Sequence, residues 1–145
     1  MNLFVDTSVW SLAWRRDASL DTPEVARLSE ALRSDETIRT TGLVLQELLQ
    51  GFQGAKAQRA IVERFSALQL IVPDRQDHIE AAALRSFCRR RGVQLGTIDA
   101  LLVRLCVRYE LTLLTTDRDF EHAARHVALK IWSPSVGPSS RTKRH

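Results

Sequence analysis

A short run of extended character, Asn2-Leu3-Phe4-Val5, is broken at once by Asp6-Thr7-Ser8, a triplet that can turn the chain and cap a helix over residues 9–15. The same switch from strand to helix recurs along the chain. Asp21 and Glu24 stand at capping-box spacing before Val25, Leu28 and Leu32, a helical face expected to end near Ser34. A strand over 37–40 precedes a helix over 43–49 that closes near Gly51, and a further helix occupies 55–67. Residues 68–72 read as a strand. Pro73-Asp74 then opens a long helix running toward Arg90, with Ala81, Leu84 and Cys88 on one side and Gly92 as its stop. Thr97-Ile98-Asp99 begins the next helix, whose Leu102, Val103 and Cys106 face inward; a strand at 111–114, a turn at 115–119, a short helix and a strand around 127–132 complete the series. Such alternation predicts a three-layer α/β fold around a largely parallel sheet.

At 145 residues the chain is sized for one domain, expected over 1–133. Pro134, Gly137 and Pro138 introduce a flexible basic C-terminal tail over 134–145. The apolar runs fall far short of a membrane span and the start does not read as a signal peptide, so a cytoplasmic protein without a membrane partner is expected. Cys88 and Cys106 form neither a metal motif nor a disulfide framework. The net charge is +4, but Arg141, Lys143 and Arg144 supply three of those charges, so the chain before them carries +1 and is no uniformly basic nucleic-acid binder. Its bases are 18 arginines and three lysines, which favours planar recognition of phosphate or carboxylate.

Polar residues placed just after parallel strands converge across a sheet even when far apart in sequence. Asp6 follows the first strand, Asp117 follows the strand at 111–114, Asp99 opens a helix, and Glu47 lies in an apolar helix where a carboxylate needs a partner. Crowded carboxylates repel one another unless a hard cation such as magnesium or manganese is bound, and such a cation can hold phosphate and activate water. No catalytic histidine is then required. His122 and His126 are four apart but lack a zinc motif, no glycine pattern for a dinucleotide follows the first strand, and neither cysteine sits in a nucleophile motif.

Phe4-Val5-Asp6-Thr7-Ser8-Val9-Trp10, Gln46-Glu47-Leu48-Leu49, Thr97-Ile98-Asp99-Ala100 and Thr115-Thr116-Asp117-Arg118-Asp119-Phe120 together resemble, in order and spacing, the PIN-domain nucleases. The likeness is greatest to VapC-like toxins of bacterial toxin-antitoxin pairs. The resemblance spans about residues 1–132 and implies an endoribonuclease toxin using Mg2+ or Mn2+. It implies hydrolysis of RNA to 5′-phosphate and 3′-hydroxyl ends, and a cognate VapB-like antitoxin as inhibitor. Transfer or ribosomal RNA (tRNA or rRNA) is a candidate substrate, and a homodimer is expected. Asp6, Glu47, Asp99 and Asp117 match the family's acidic positions as catalytic and metal ligands. Thr7, Ser8 and Thr115 are candidates for orienting water or a carboxylate, while Asp119 is expected to order its loop or cap the next helix.

Arg15, Arg16, Arg89, Arg90 and Arg91 are candidates for holding RNA phosphates. Trp10 and Trp14, one helical turn apart, could pack in the core or offer an apolar face to the antitoxin. The alternative function is a PIN-like nucleic-acid-binding protein without enzymatic activity.

Overall fold

The computed structural model describes residues 1–15 and 22–134. In chain order the elements are β1 (Asn2–Val5), α1 (Thr7–Trp14), α2 (Pro23–Arg33), β2 (Thr37–Thr41), α3 (Gly42–Gly51), α4 (Ala55–Ser66), β3 (Gln69–Ile71), α5 (Arg75–Arg90), α6 (Thr97–Arg108), β4 (Thr112–Leu114), α7 (Arg118–Ala124) and β5 (Lys130–Ile131). The five strands form one all-parallel sheet in the order β3-β2-β1-β4-β5, so the expected three-layer α/β architecture is found. No helix among the described residues is long and apolar enough to cross a membrane.

β1 sits at the centre. Covered on both faces, it has no side that can show polar residues to water, and Leu3, Phe4 and Val5 are all fully buried. Its neighbours β2 and β4 belong to the two branches of the chain that build the sheet outward in opposite directions, so the topology switches between β1 and β4. The crevice beyond the strand ends at such a switch is where open α/β sheets place their ligand sites.

Helices α1 to α4 pack on one another, while α5 and α6 form a separate antiparallel pair. α6 is apolar almost all round, with Ala100, Leu101, Leu102, Val103, Leu105 and Cys106 buried. That burial fixes its first turn rigidly above the sheet. The α5–α6 pair is tied at its other end by Asp77, whose side chain is fully buried. Asp74 and Asp77 form the capping box of α5, each accepting the other's backbone N–H at 2.9 Å. Arg104 Nε and Arg108 Nη1 of α6 donate to the same Asp77 carboxylate at 3.1 and 2.7 Å. Burial alone would raise its pKa, but the Asp74 N–H and the two guanidiniums outweigh it and hold the carboxylate below its usual range.

Several local expectations change. α2 starts with Thr22 at the N-cap and Pro23 in its first turn, without a side-chain cap. Proline presets the helical φ and needs no N–H there; Asp21, expected to form a capping box with Glu24, lies outside the described residues. The last strand is confined to Lys130–Ile131 rather than 127–132. Trp10 is 1% exposed, packed at 5.6 Å from Trp14 and 4.9 Å from Phe65 between ring centroids. It is core, which removes it from any antitoxin-docking face; Trp14 is partly buried beside it. Beyond Pro134 the tail lies outside the described residues.

Candidate acidic site

Asp6 occupies the N-cap position of α1, yet its side chain caps nothing. The backbone carbonyl of Asp6 accepts the N–H groups of Val9 and Trp10, and its own N–H continues the sheet to Leu114 O at 3.0 Å. The carboxylate turns instead toward the switch point, where Oδ2 accepts the hydroxyls of Ser8 at 2.9 Å and Thr115 at 2.8 Å. Oδ1 has no protein donor among the described residues. Thr115 in turn accepts the N–H of Asp117 at 3.0 Å, and Ser8 Oγ accepts that of Thr116 at 3.1 Å. The loop after β1 and the loop after β4 are thereby laced into one unit around a buried carboxylate.

Glu47 reaches the same region from α3, with Thr7 Oγ1 donating to its Oε1 at 2.9 Å. Thr7, Ser8 and Thr115, expected to orient water or a carboxylate, each donate a hydroxyl to a carboxylate oxygen here. Asp99 lies in the first turn of α6 and is half-buried. Its pKa is pushed up to about 6, first by burial and then by the charges of Asp6, Asp117, Glu47 and Asp119. All four other acids act on Asp99, so the structure brings each of them within electrostatic range of it. Among the described residues, no three acidic, histidine or cysteine side chains are gathered to ligand spacing. The acids bear on Asp99 as charged neighbours and do not form a closed cage.

The helix cap expected of Asp119 is made by Asp117. Asp117 is the N-cap of α7, its Oδ1 accepting the N–H of Asp119 at 2.9 Å, while Asp119 lies inside the first turn. An Asp in extended backbone just before a helix presents its carboxylate to the N–H two residues on, which a residue already in the helix cannot do.

The arginine candidates diverge. Arg15 is exposed at the end of α1, and Arg16 lies outside the described residues. Arg89 and Arg90 are exposed in the last turn of α5. Arg91 lies over the Phe87 ring at 3.5 Å and donates to Phe87 O, so its guanidinium is held on its own helix. Both cysteines are buried free thiols, and burial raises the pKa of each.

The PIN domain family matches this chain over residues 3–126. The chain belongs to the PIN domain family. Solved structures share the fold across nearly the whole length. FitAcB from Neisseria gonorrhoeae is 19% identical with a TM-score of 0.70, covering 91% of this chain and 97% of its own. VapBC2 from Rickettsia felis, bound to a DNA fragment from its promoter, is 19% identical with a TM-score of 0.71, covering 93% and 100%. VapC20 from Mycobacterium tuberculosis, a sarcin-ricin loop cleaving toxin, is 19% identical with a TM-score of 0.68, covering 88% and 98%. In this PIN domain the motif acids occupy the sheet's switch point. Asp77, which ties α5 to α6, had no sequence signal beyond its spacing three residues after Asp74.

Proposed function

We propose that this PIN domain is a divalent-metal-dependent endoribonuclease, the toxin of a toxin-antitoxin pair. The observation that carries the reading is the convergence of Asp6, Glu47, Asp117 and Asp119 on a half-buried Asp99 at the switch point. Family membership and the VapC and FitAB neighbours support a nuclease toxin.

The donor set fits a hard cation: every candidate ligand atom is an oxygen, the negative charge is in excess, and Asp6 Oδ1 lacks a protein donor among the described residues. Asp6 and Asp99 are the principal anchors, with Glu47 and Asp117 completing the set directly or through water. Magnesium or manganese, when bound, supplies Lewis acidity toward phosphate and lowers the pKa of water. The chain's own part is positioning. Ser8 and Thr115 hold Asp6, Thr7 holds Glu47, and the buried body of α6 holds Asp99. With no histidine pair at the acids among the described residues, hydrolysis at phosphorus leaves a 5′-phosphate and a 3′-hydroxyl instead of a cyclic phosphate.

The VapBC and FitAB structures among the neighbours support a VapB-like antitoxin as partner. It places a basic group against the acids and an apolar segment against the exposed side of α1, where Trp14 rather than Trp10 is reachable. Digestion of structured RNA, single-stranded RNA and DNA, with and without magnesium or manganese, tests the activity, and end-group analysis tests the route. A 2′,3′-cyclic phosphate product overturns the mechanism. RNA bound but left intact with either metal favours the non-enzymatic binding protein.

A further inference from the structure

Beside the acids, α5, α6 and the start of α3 leave an open groove of about 460 Å³, within the range of small-ligand sites. Its floor is apolar, with Ala81 and Leu101 buried and Leu43 and Ile98 half-buried. Its rim is polar, carrying exposed Arg85 and Thr97. Thr97 and Ile98 share the first turn of α6 with Asp99, so the groove begins where the acids end. Arg85 Nε donates to Leu95 O at 2.8 Å. That bond fixes the guanidinium and leaves its two amino groups without an acceptor among the described residues. Arg89 follows one turn later on the same face of α5, exposed and without an ion pair among the described residues.

A phosphodiester chain approaching five carboxylates is repelled unless fixed cations flank its path. Arg85 stands on the groove rim, and the floor, which includes Ile98 and Leu101 of the helix that carries Asp99, offers apolar surface to a base. Resting on the ribonuclease reading, we propose that this groove seats the nucleotide adjoining the scissile phosphate of single-stranded RNA. The base lies on Ala81, Ile98 and Leu101, and Arg85 holds the flanking phosphate. A second copy of the chain is the poorer occupant, because the groove lining carries Arg85 and no carboxylate to pair it across a twofold contact.

The test is binding of a short fluorescein-labelled single-stranded RNA of mixed sequence by the full chain in chelator, followed by anisotropy across a salt series. Arg85→Gln weakens binding and flattens the slope of log affinity against log salt by about 0.7, the value for one phosphate contact on a single strand. Arg85→Lys restores the slope. Ala82→Trp, an exposed position on the groove wall, weakens binding about tenfold by filling the base site and leaves the slope unchanged. Wild-type affinity and slope in both Arg85→Gln and Ala82→Trp, with RNA cleavage intact in metal, overturn the groove and spare the ribonuclease reading. A changed sedimentation coefficient in Ala82→Trp assigns the groove to contact between copies and overturns the proposal. A wild-type chain that neither binds nor cuts RNA removes the ribonuclease reading, and the groove assignment falls with it.

Discussion

Asp99 carries a charge that folding makes costly. Its carboxyl titrates at about 6 in the folded protein against an ordinary 3.8, so between those values the folded state holds a proton that the unfolded chain has released. Stability therefore falls as pH rises through that window, and the whole cost is present above it. In metal-free protein, Asp99→Asn should raise the melting temperature at about pH 7 and change little below about pH 4; equal effects at both values would reject the repulsion. Asp117 has a different double duty. Asp117→Ala should cost about 1 kcal/mol of stability through the lost cap and also abolish metal-linked turnover. Asp119→Ala should spare the helix, since its contribution to the cap is a backbone N–H. Melts and magnesium titrations of the two variants separate cap from ligand, and a larger stability loss in the Asp119 variant would contradict the assignment.

At the level of elements, the α5–α6 pair is the support on which Asp99 depends. Asp77→Ala removes the far side of a capping box and the shared acceptor of Arg104 and Arg108, and should destabilise the protein by about 2 kcal/mol. Chemical denaturation measures that loss, and a variant as stable as the parent would show that the tie is not needed. The elements themselves were legible from period and punctuation. Pro73-Asp74 opens α5 as expected, and Gly92 follows it with φ of 78°, a value only glycine adopts freely. What the sequence could not reveal was direction in space. Trp10 and Trp14 sit one turn apart, but whether that face meets the core is decided by Phe65, more than fifty residues away. For the same reason the acids were visible as motifs, whereas the hydroxyl lacing of Asp6 by Ser8 and Thr115 depends on β1 and β4 lying side by side.

For the whole molecule, a cation that binds only the folded chain must stabilise it by mass action. At a magnesium or manganese concentration about 100 times the dissociation constant, the gain is about 2.7 kcal/mol. Melting curves should rise with metal in the parent and stay flat in Asp6→Asn and Asp99→Asn; a full metal response in both folded variants would reject these anchors. The order of the strands also sets a schedule for synthesis. Asp6 leaves the ribosome well before the hydroxyl that locks its carboxylate, which comes from Thr115, 109 residues later. No amount of early collapse can supply that partner. A nascent chain therefore carries its central strand long before it has the loop that finishes the acidic centre, so the centre stays incomplete until translation has passed Thr115.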